Sequence, residues 1–210
     1  MLKNHKEKEA IQEIFLIFSE FYKPPTVEFY EQLHSGEIDR LLEILFSQAD
    51  YDLKLTSFKD YLTNFKKYKR NYNRTFIGTG RPFATPVESV YKVWSTNPAL
   101  QSSPMARSKG YFNGDSAMHI RYLFEELNIE IPEEYKMMPD HLTLLLEFLA
   151  FLIGSDYEIY AKQFIQDHLD WLGDFFYKLQ TLENSELYVV VTDLIRQVLS
   201  EEKRRLGSGL

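Results

Sequence analysis

Along most of the chain, apolar residues recur at intervals of three and four, the spacing of one face of an α-helix. Ile11, Ile14, Phe15, Phe18, Phe21 and Tyr22 form the first such stripe. Burying it contributes roughly 1.5–3 kcal/mol per large side chain before the entropy cost is counted. Pro24-Pro25 ends the stripe, and Thr26 has the side chain to cap a short second helix that closes near Gly36. Ile38, Leu41, Leu42 and Leu45 mark a third helix. A fourth is predicted from Thr56 as cap, with Phe58, Tyr61, Leu62, Phe65 and Tyr68 on its inner face.

The pattern then lapses. Between Asn71 and Pro104 the chain carries Gly78, Gly80, Pro82, Pro86 and Pro98, which reads as one long loop, functional or a linker. Helical spacing returns from Asp115 to Asn128, where Asn suits a left-handed position after the helix. Pro132 and Pro139 bracket a connector, and Asp140 reads as the N-cap of a strongly apolar helix through Ile153. One long helix is predicted from about Tyr157 to Leu182, and a last one from about Ser185 to Arg205, with GSGL as a frayed end. No strand alternation and no internal repeat is evident. The expected fold class is all-α, a compact helical bundle. The expected layout is a single domain over residues 1–210, with N-terminal helices over about 5–72, a loop over about 72–104 and further helices over about 105–205.

Composition narrows the function. Hydrophobic residues are 44% and aromatics 15%, with 16 Phe and 14 Tyr, enough apolar surface for a packed core rather than a disordered chain. There is no cysteine, which removes disulfides, iron–sulfur ligation and thiolate zinc sites, and fits a reducing compartment. A net charge of −7 disfavours general binding to nucleic acid or anionic lipid and suits a cationic partner. The opening MLKNHKEKEA has no apolar core of a secretory signal, and the apolar run Leu142–Gly154 is too short to span a bilayer. The expected location is therefore the cytoplasm, without membrane insertion.

Candidate chemistry is sparse. No phosphate-cradling GxxxxGK[ST], no GxSxG and no HExxH occurs, and GTGRPF has no strand–turn–helix context for a nucleotide site. Asp140-His141-Leu142 and Asp167-His168-Leu169 are two Asp–His pairs that could supply mixed donors to a metal, the basis of an alternative reading as a metal-dependent helical hydrolase. Adjacent residues on a helix point about 100° apart, however, which makes one pair a poor chelate. No catalytic residue, metal or cofactor is expected. In Lys66–Arg74, aromatics alternate with five basic residues; against a net charge of −7 this is a solvated helix end rather than a nucleic-acid patch. Asp140 and Glu147 would share a face beside apolar side chains, which could receive a basic amphipathic peptide as well as being a cap and a wet-side Glu.

Three stretches resemble one known group. Met138-PDHLTLLLEFLAFL-Ile153 resembles the signature helix of the TorD/DmsD/NarJ redox-enzyme maturation chaperones. Pro86-VESVY-Tyr91 is similar to that family's Pro-x-Glu-Ser-Val-Tyr element, and Phe164-IQDHLDW-Trp171 with Phe175 to its Phe-x-x-Glu-His-Leu-x-x-Trp-x-x-x-Phe helix. The resemblance covers about residues 80–200. It implies an all-helical, non-enzymatic cytoplasmic chaperone. The partner would be the apo-form of a molybdenum-containing oxidoreductase subunit and, with it, a twin-arginine signal peptide. It also implies that Asp140, His141, Pro86, Glu88, Ser89 and Tyr91 line the client surface, with Gly114 and Asp115 as weaker carry-overs. On that reading an apolar groove takes the signal's hydrophobic segment while Asp140, Glu88 and Glu147 face its arginines. The chain departs from the family at Leu145, where a second acidic residue is common, at Asp167, where Glu is usual, and at Asp170, where Pro is usual. A monomer and a domain-swapped homodimer both stay open, as does a helical regulatory scaffold without an enzyme client.

Overall fold

The computed structural model describes residues 5–79, 82–100, 102–155 and 157–207. Among them are ten α-helices and no strand; one isolated antiparallel bridge joins Val87 to His141. The all-α expectation holds. Helix α1 (His5–Glu20) buries Ile11, Ile14, Phe15 and Phe18, as its spacing requires, and α2 (Val27–His34) is capped by Thr26, whose side chain accepts from Phe29 N at 3.2 Å. Gly36, at φ +73°, separates α2 from α3 (Glu37–Gln48). The left-handed turn there is what favours glycine.

The predicted fourth helix is two pieces. Phe58–Tyr61 is a single 3-10 turn, and α4 (Phe65–Tyr72) starts anew with Asn64 as its cap, accepting from Lys67 N at 2.9 Å. Thr56 caps nothing; the apolar spacing continues because both pieces turn the same face inward, so periodicity alone merged them. After α4 the chain widens into a π-helical turn over Asn73–Ile77 and leaves it at Gly78, φ +75°. Gly80 and Arg81 of the GTGRPF stretch lie outside the described residues, as does the end of GSGL. Tyr68 and Tyr72 are buried while Lys66, Lys69, Arg70 and Arg74 are exposed, so the tyrosines of this basic stretch are core residues and offer no stacking faces.

The long loop is also more ordered than expected. It contains a short helix, α5 (Glu88–Tyr91), set against α6 (Asp115–Glu126). Asn128 takes the left-handed conformation expected of it, φ +53°. Helix α7 (Leu142–Gly154) is apolar almost all round and is correspondingly central, lying along α1 and beside α8 (Glu158–His168). The predicted helix from Tyr157 to Leu182 breaks at Leu169–Trp171, with α9 (Leu172–Gln180) following. The break is held by Trp171, whose indole N–H donates to the His168 carbonyl at 2.8 Å and satisfies an end group that α8 would otherwise leave open. Helix α10 (Glu186–Gly207) packs on α8 and α9. Among the described residues no helix is long and apolar enough to cross a membrane.

Candidate functional site

The segments around Pro86 and Asp140 form one unit. The Pro86 carbonyl accepts from Leu142 N at 2.8 Å, and the Asp140 carbonyl accepts from Glu88 N at 3.1 Å. The Asp140 side chain reaches across to the start of α5, where Oδ2 accepts from Ser89 N at 2.7 Å. This corrects the expected capping. Asp140 serves α5 rather than α7, and α7 is capped by His141, whose Nδ1 accepts from Thr143 N at 3.3 Å. A sequence reading assigns a cap to the helix next in the chain; here the tertiary bridge at Val87–His141 puts a different helix closer.

Burial decides what these residues can touch. Glu88 and Asp140 have 0% exposure, Ser89 1% and His141 6%, and Pro86 is also buried. A carboxylate without exposed surface meets no docked arginine directly in this conformation. Burial pushes the Asp140 carboxyl up, against the hydrogen bonds from Ser89 that hold it down. Burial alone brings His141 down to about 3, so its imidazole is neutral around pH 7. Glu147 is half-buried and paired with Lys23, just after α1, at 2.8 Å, away from Asp140's partner Ser89; the two acids do not form one stripe.

Glu88 organises the neighbourhood. Its carboxylate lies 2.9 Å from Lys92 Nζ and 2.9 Å from His168 Nδ1. The other ring nitrogen of His168 is 2.8 Å from His119 Nδ1 on α6. Lys92 continues to Asp170 at 2.7 Å and also donates to the Asp167 carbonyl. Burial opposes the Lys92 charge, but Glu88 and Asp170 prevail and raise its pKa. His168, which the spacing reads as a packed histidine, is indeed buried, yet it also links an interior carboxylate to an exposed imidazole.

That exposed imidazole stands in a cleft of about 520 Å³. Four carboxylates line it, Asp115, Asp167, Asp170 and Asp174, against the ammonium groups of Lys92 and Lys109. Tyr91 stacks on Trp171 as its aromatic wall, ring centroids 5.1 Å apart. Asp115 accepts from Thr96 N at 2.7 Å and Thr96 Oγ1 at 3.0 Å. Burial acts to raise its pKa, but those bonds outweigh it and hold the carboxyl below the usual range. Gly114 is required by packing: a Cβ there would sit 2.6 Å from the Trp94 carbonyl oxygen. A second cavity of about 440 Å³ adjoins the first, sharing His119, Asp167 and His168 as a common wall. Its remaining surface is largely apolar, with Tyr122, Phe148, Leu152, Tyr157 and Tyr160. Tyr122 and Tyr160 are more than half exposed, as is the neighbouring Ile159.

Of the sequence-predicted residues, Tyr91 and Asp115 thus line the acidic cleft. Pro86, Glu88, Ser89, Asp140, His141 and Gly114 are buried and line neither cavity. Glu147 lies elsewhere. Sequence reasoning missed Lys92 and His119. Lys92 had a signal, four residues beyond Glu88 on a helical turn; His119 had none, because its partner is brought in by α8. Among the described residues no three His, Cys, Asp or Glu side chains converge on a metal position.

No curated protein matches the chain. The family described as nitrate reductase delta subunit matches residues 47–177. That span holds α4 to α8 entire and reaches into α9, and so contains the Asp140 bridge, the Glu88 chain and every side chain named in both cavities. The chain belongs to the nitrate reductase delta subunit family, the NarJ/TorD-like group of redox-enzyme maturation chaperones.

Proposed function

We propose that this protein holds an immature, molybdenum-containing oxidoreductase subunit in the cytoplasm by a segment that is cationic and then apolar. A twin-arginine signal peptide has that pattern. One observation carries the reading: an acidic cleft and an apolar groove meet along a single wall, His119, Asp167 and His168. Guanidinium groups pair with the cleft's carboxylates, and the hydrophobic stretch covers the exposed aromatics of the groove. Asp140, His141, Pro86, Glu88, Ser89 and Gly114 position these surfaces, while Tyr91 and Asp115 touch the client. Binding is the whole mechanism, with no covalent step. Affinity is moderate because a disordered segment must be ordered on binding and released after cofactor insertion.

The test is affinity capture from cells grown anaerobically, with mass spectrometry of what is retained, followed by the same capture with Asp115→Asn/Asp170→Asn protein. Recovery of one oxidoreductase subunit, reduced by the double variant, supports the reading. Equal recovery by both proteins would move the contact away from the cleft.

A further inference from the structure

The chain Glu88–His168–His119 has more structure than a packing role needs. Glu88 is fully buried and His168 nearly so, and they are linked to an exposed residue by a bond of 2.8 Å between two imidazoles. A carboxylate only accepts, so the hydrogen on His168 Nδ1 points at Glu88. The bond between His168 Nε2 and His119 Nδ1 holds one further hydrogen, which in the neutral pair sits on His119 Nδ1 and is accepted by His168 Nε2, since the reverse would leave His119 as an imidazolate. With those two protons the pair is neutral, and His119 Nε2 is left with a bare lone pair. A third proton has one place to go: in either arrangement of the shared hydrogen it ends on His119 Nε2. The protonation of the whole chain is therefore displayed at one atom, on a residue that lines both cavities.

We infer that His119 is a proton-gated recognition residue for a cationic peptide, accepting an N–H from a guanidinium or ammonium group when neutral and repelling it when protonated. This rests on the peptide-holding reading above and adds to it the residue that senses the cation. The groups facing His119 set its balance. Burial and then the neighbouring His168 lower its pKa, while Asp167 on α8 and Glu88 on α5 raise it. The remaining charges around the cleft are Lys92 just beyond α5, Lys109 in the loop before α6, Asp115 on α6 itself, Asp170 and Asp174; Glu126 lies along the groove. With the net shift downward, His119 is neutral near pH 7 and takes its extra proton only at more acid pH than an ordinary imidazole. Aspartates as a class titrate near pH 4, so a change between about pH 7.5 and 5.5 reports imidazole and not carboxylate.

The experiment is titration calorimetry at fixed ionic strength at about pH 7.5 and 5.5. The probe is a synthetic peptide of two adjacent arginines followed by a dozen or so apolar residues, alongside a copy with both arginines changed to glutamine. Wild-type affinity for the arginine peptide is expected to fall about tenfold on acidification, the loss of one charge-assisted hydrogen bond. His119→Asn keeps an amide donor near the Nδ1 position and offers no acceptor at Nε2; it should bind about tenfold weaker near neutrality and show no acid loss. Nitrogen NMR of the free protein should show His119 Nε2 unprotonated near neutrality. Arginine-peptide binding that is equally tight at both pH values, a His119→Asn protein that follows wild type, or a protonated Nε2 near neutrality would overturn the inference alone. A glutamine peptide with the same acid loss would do the same. No binding of either peptide at any pH would overturn the peptide-holding reading itself, and this inference with it.

Discussion

Glu88 and Glu202 are both sealed from solvent at 0% exposure, yet their surroundings part company in their chemistry. Glu202 on α10 accepts from Tyr51 Oη at 2.5 Å and from Arg205 Nε at 2.8 Å; Arg205 also reaches Glu158 of α8 at 3.0 Å, which pairs with Lys8 of α1. Burial opposes the Arg205 charge, but Glu202 and Glu158 outweigh it and raise its pKa further still. The Arg205 guanidinium keeps its proton at any physiological pH. The cluster ties α10 to α1, α8 and the segment after α3. Glu88 is met instead by a lysine and by an imidazole whose second nitrogen leads out to a cleft. The same side chain at the same burial is a staple in one place and part of a site in the other. The difference is whether its counter-groups include an imidazole or only a guanidinium and a phenol, and whether the chain of contacts ends in solvent.

The staple gives the largest expected effect. Arg205→Met removes the fixed cation and leaves Glu202 buried without its main counter-charge, which costs about 3–5 kcal/mol. Thermal melts of the variant should drop by roughly 10 °C near neutral pH, and peptide affinity per folded molecule should not change. A drop confined to acid would mean that this cluster titrates as well, and the contrast with Glu88 would fail.

His141 sharpens the contrast from the interior, as a buried imidazole whose pKa burial alone has lowered from 6.5 to about 3. The unfolded chain then binds the proton that the folded protein refuses. Stability from this group is complete above pH 6.5 and is lost as pH falls toward the folded value of about 3. The slope is about 1.4 kcal/mol per pH unit, so roughly 2–3 kcal/mol is lost two units below the unfolded value. Denaturant unfolding of wild type and His141→Asn across that window checks this. The Asn protein, still able to cap α7, should show a shallower slope, and equal slopes would assign the acid sensitivity to other groups.

Glu88→Gln should cost less, about 1–2 kcal/mol, because Lys92 keeps Asp170 and the amide oxygen can still accept from His168. Its larger consequence is on the site: without the buried charge behind His168, the acid dependence of cationic-peptide binding should shift. Calorimetry at the two pH values used for His119 measures it, and an unaltered profile would detach Glu88 from the histidine pair.

Asp140→Asn carries the smallest expected effect, below about 1 kcal/mol, since an amide oxygen can also accept from Ser89 N and Asn caps about as well as Asp. Burial has already raised this carboxyl, so removing its charge relieves as much as it loses. Peptide affinity per folded molecule should change less than twofold. A tenfold loss with an unchanged melt would show that Asp140 meets the client after a rearrangement, and would align it with Glu88 rather than with the staple.

By itself the sequence determined the helices that bury a face: α1, α2, α3, α6 and α7 follow from spacing, because a helix is closed by bonds four residues apart and its pattern is local. It also singled out stretches that the fold brings together: Pro86 and Glu88 bond through their backbones to Leu142 and Asp140, while Tyr91, Asp115 and the α8 motif line the cleft. Tertiary structure decided the rest. Whether Glu88 and Asp140 face solvent, and which helix Asp140 caps, depended on the Val87–His141 bridge, which joins residues far apart in the chain. The break after α8 depended on where Trp171 could place its indole N–H. The imidazole chain needed α5, α6 and α8 to meet across separations of 49 and 80 residues. No periodicity reports such a meeting, because an ionisable side chain takes its partners, its burial and its proton affinity from whatever the fold packs against it.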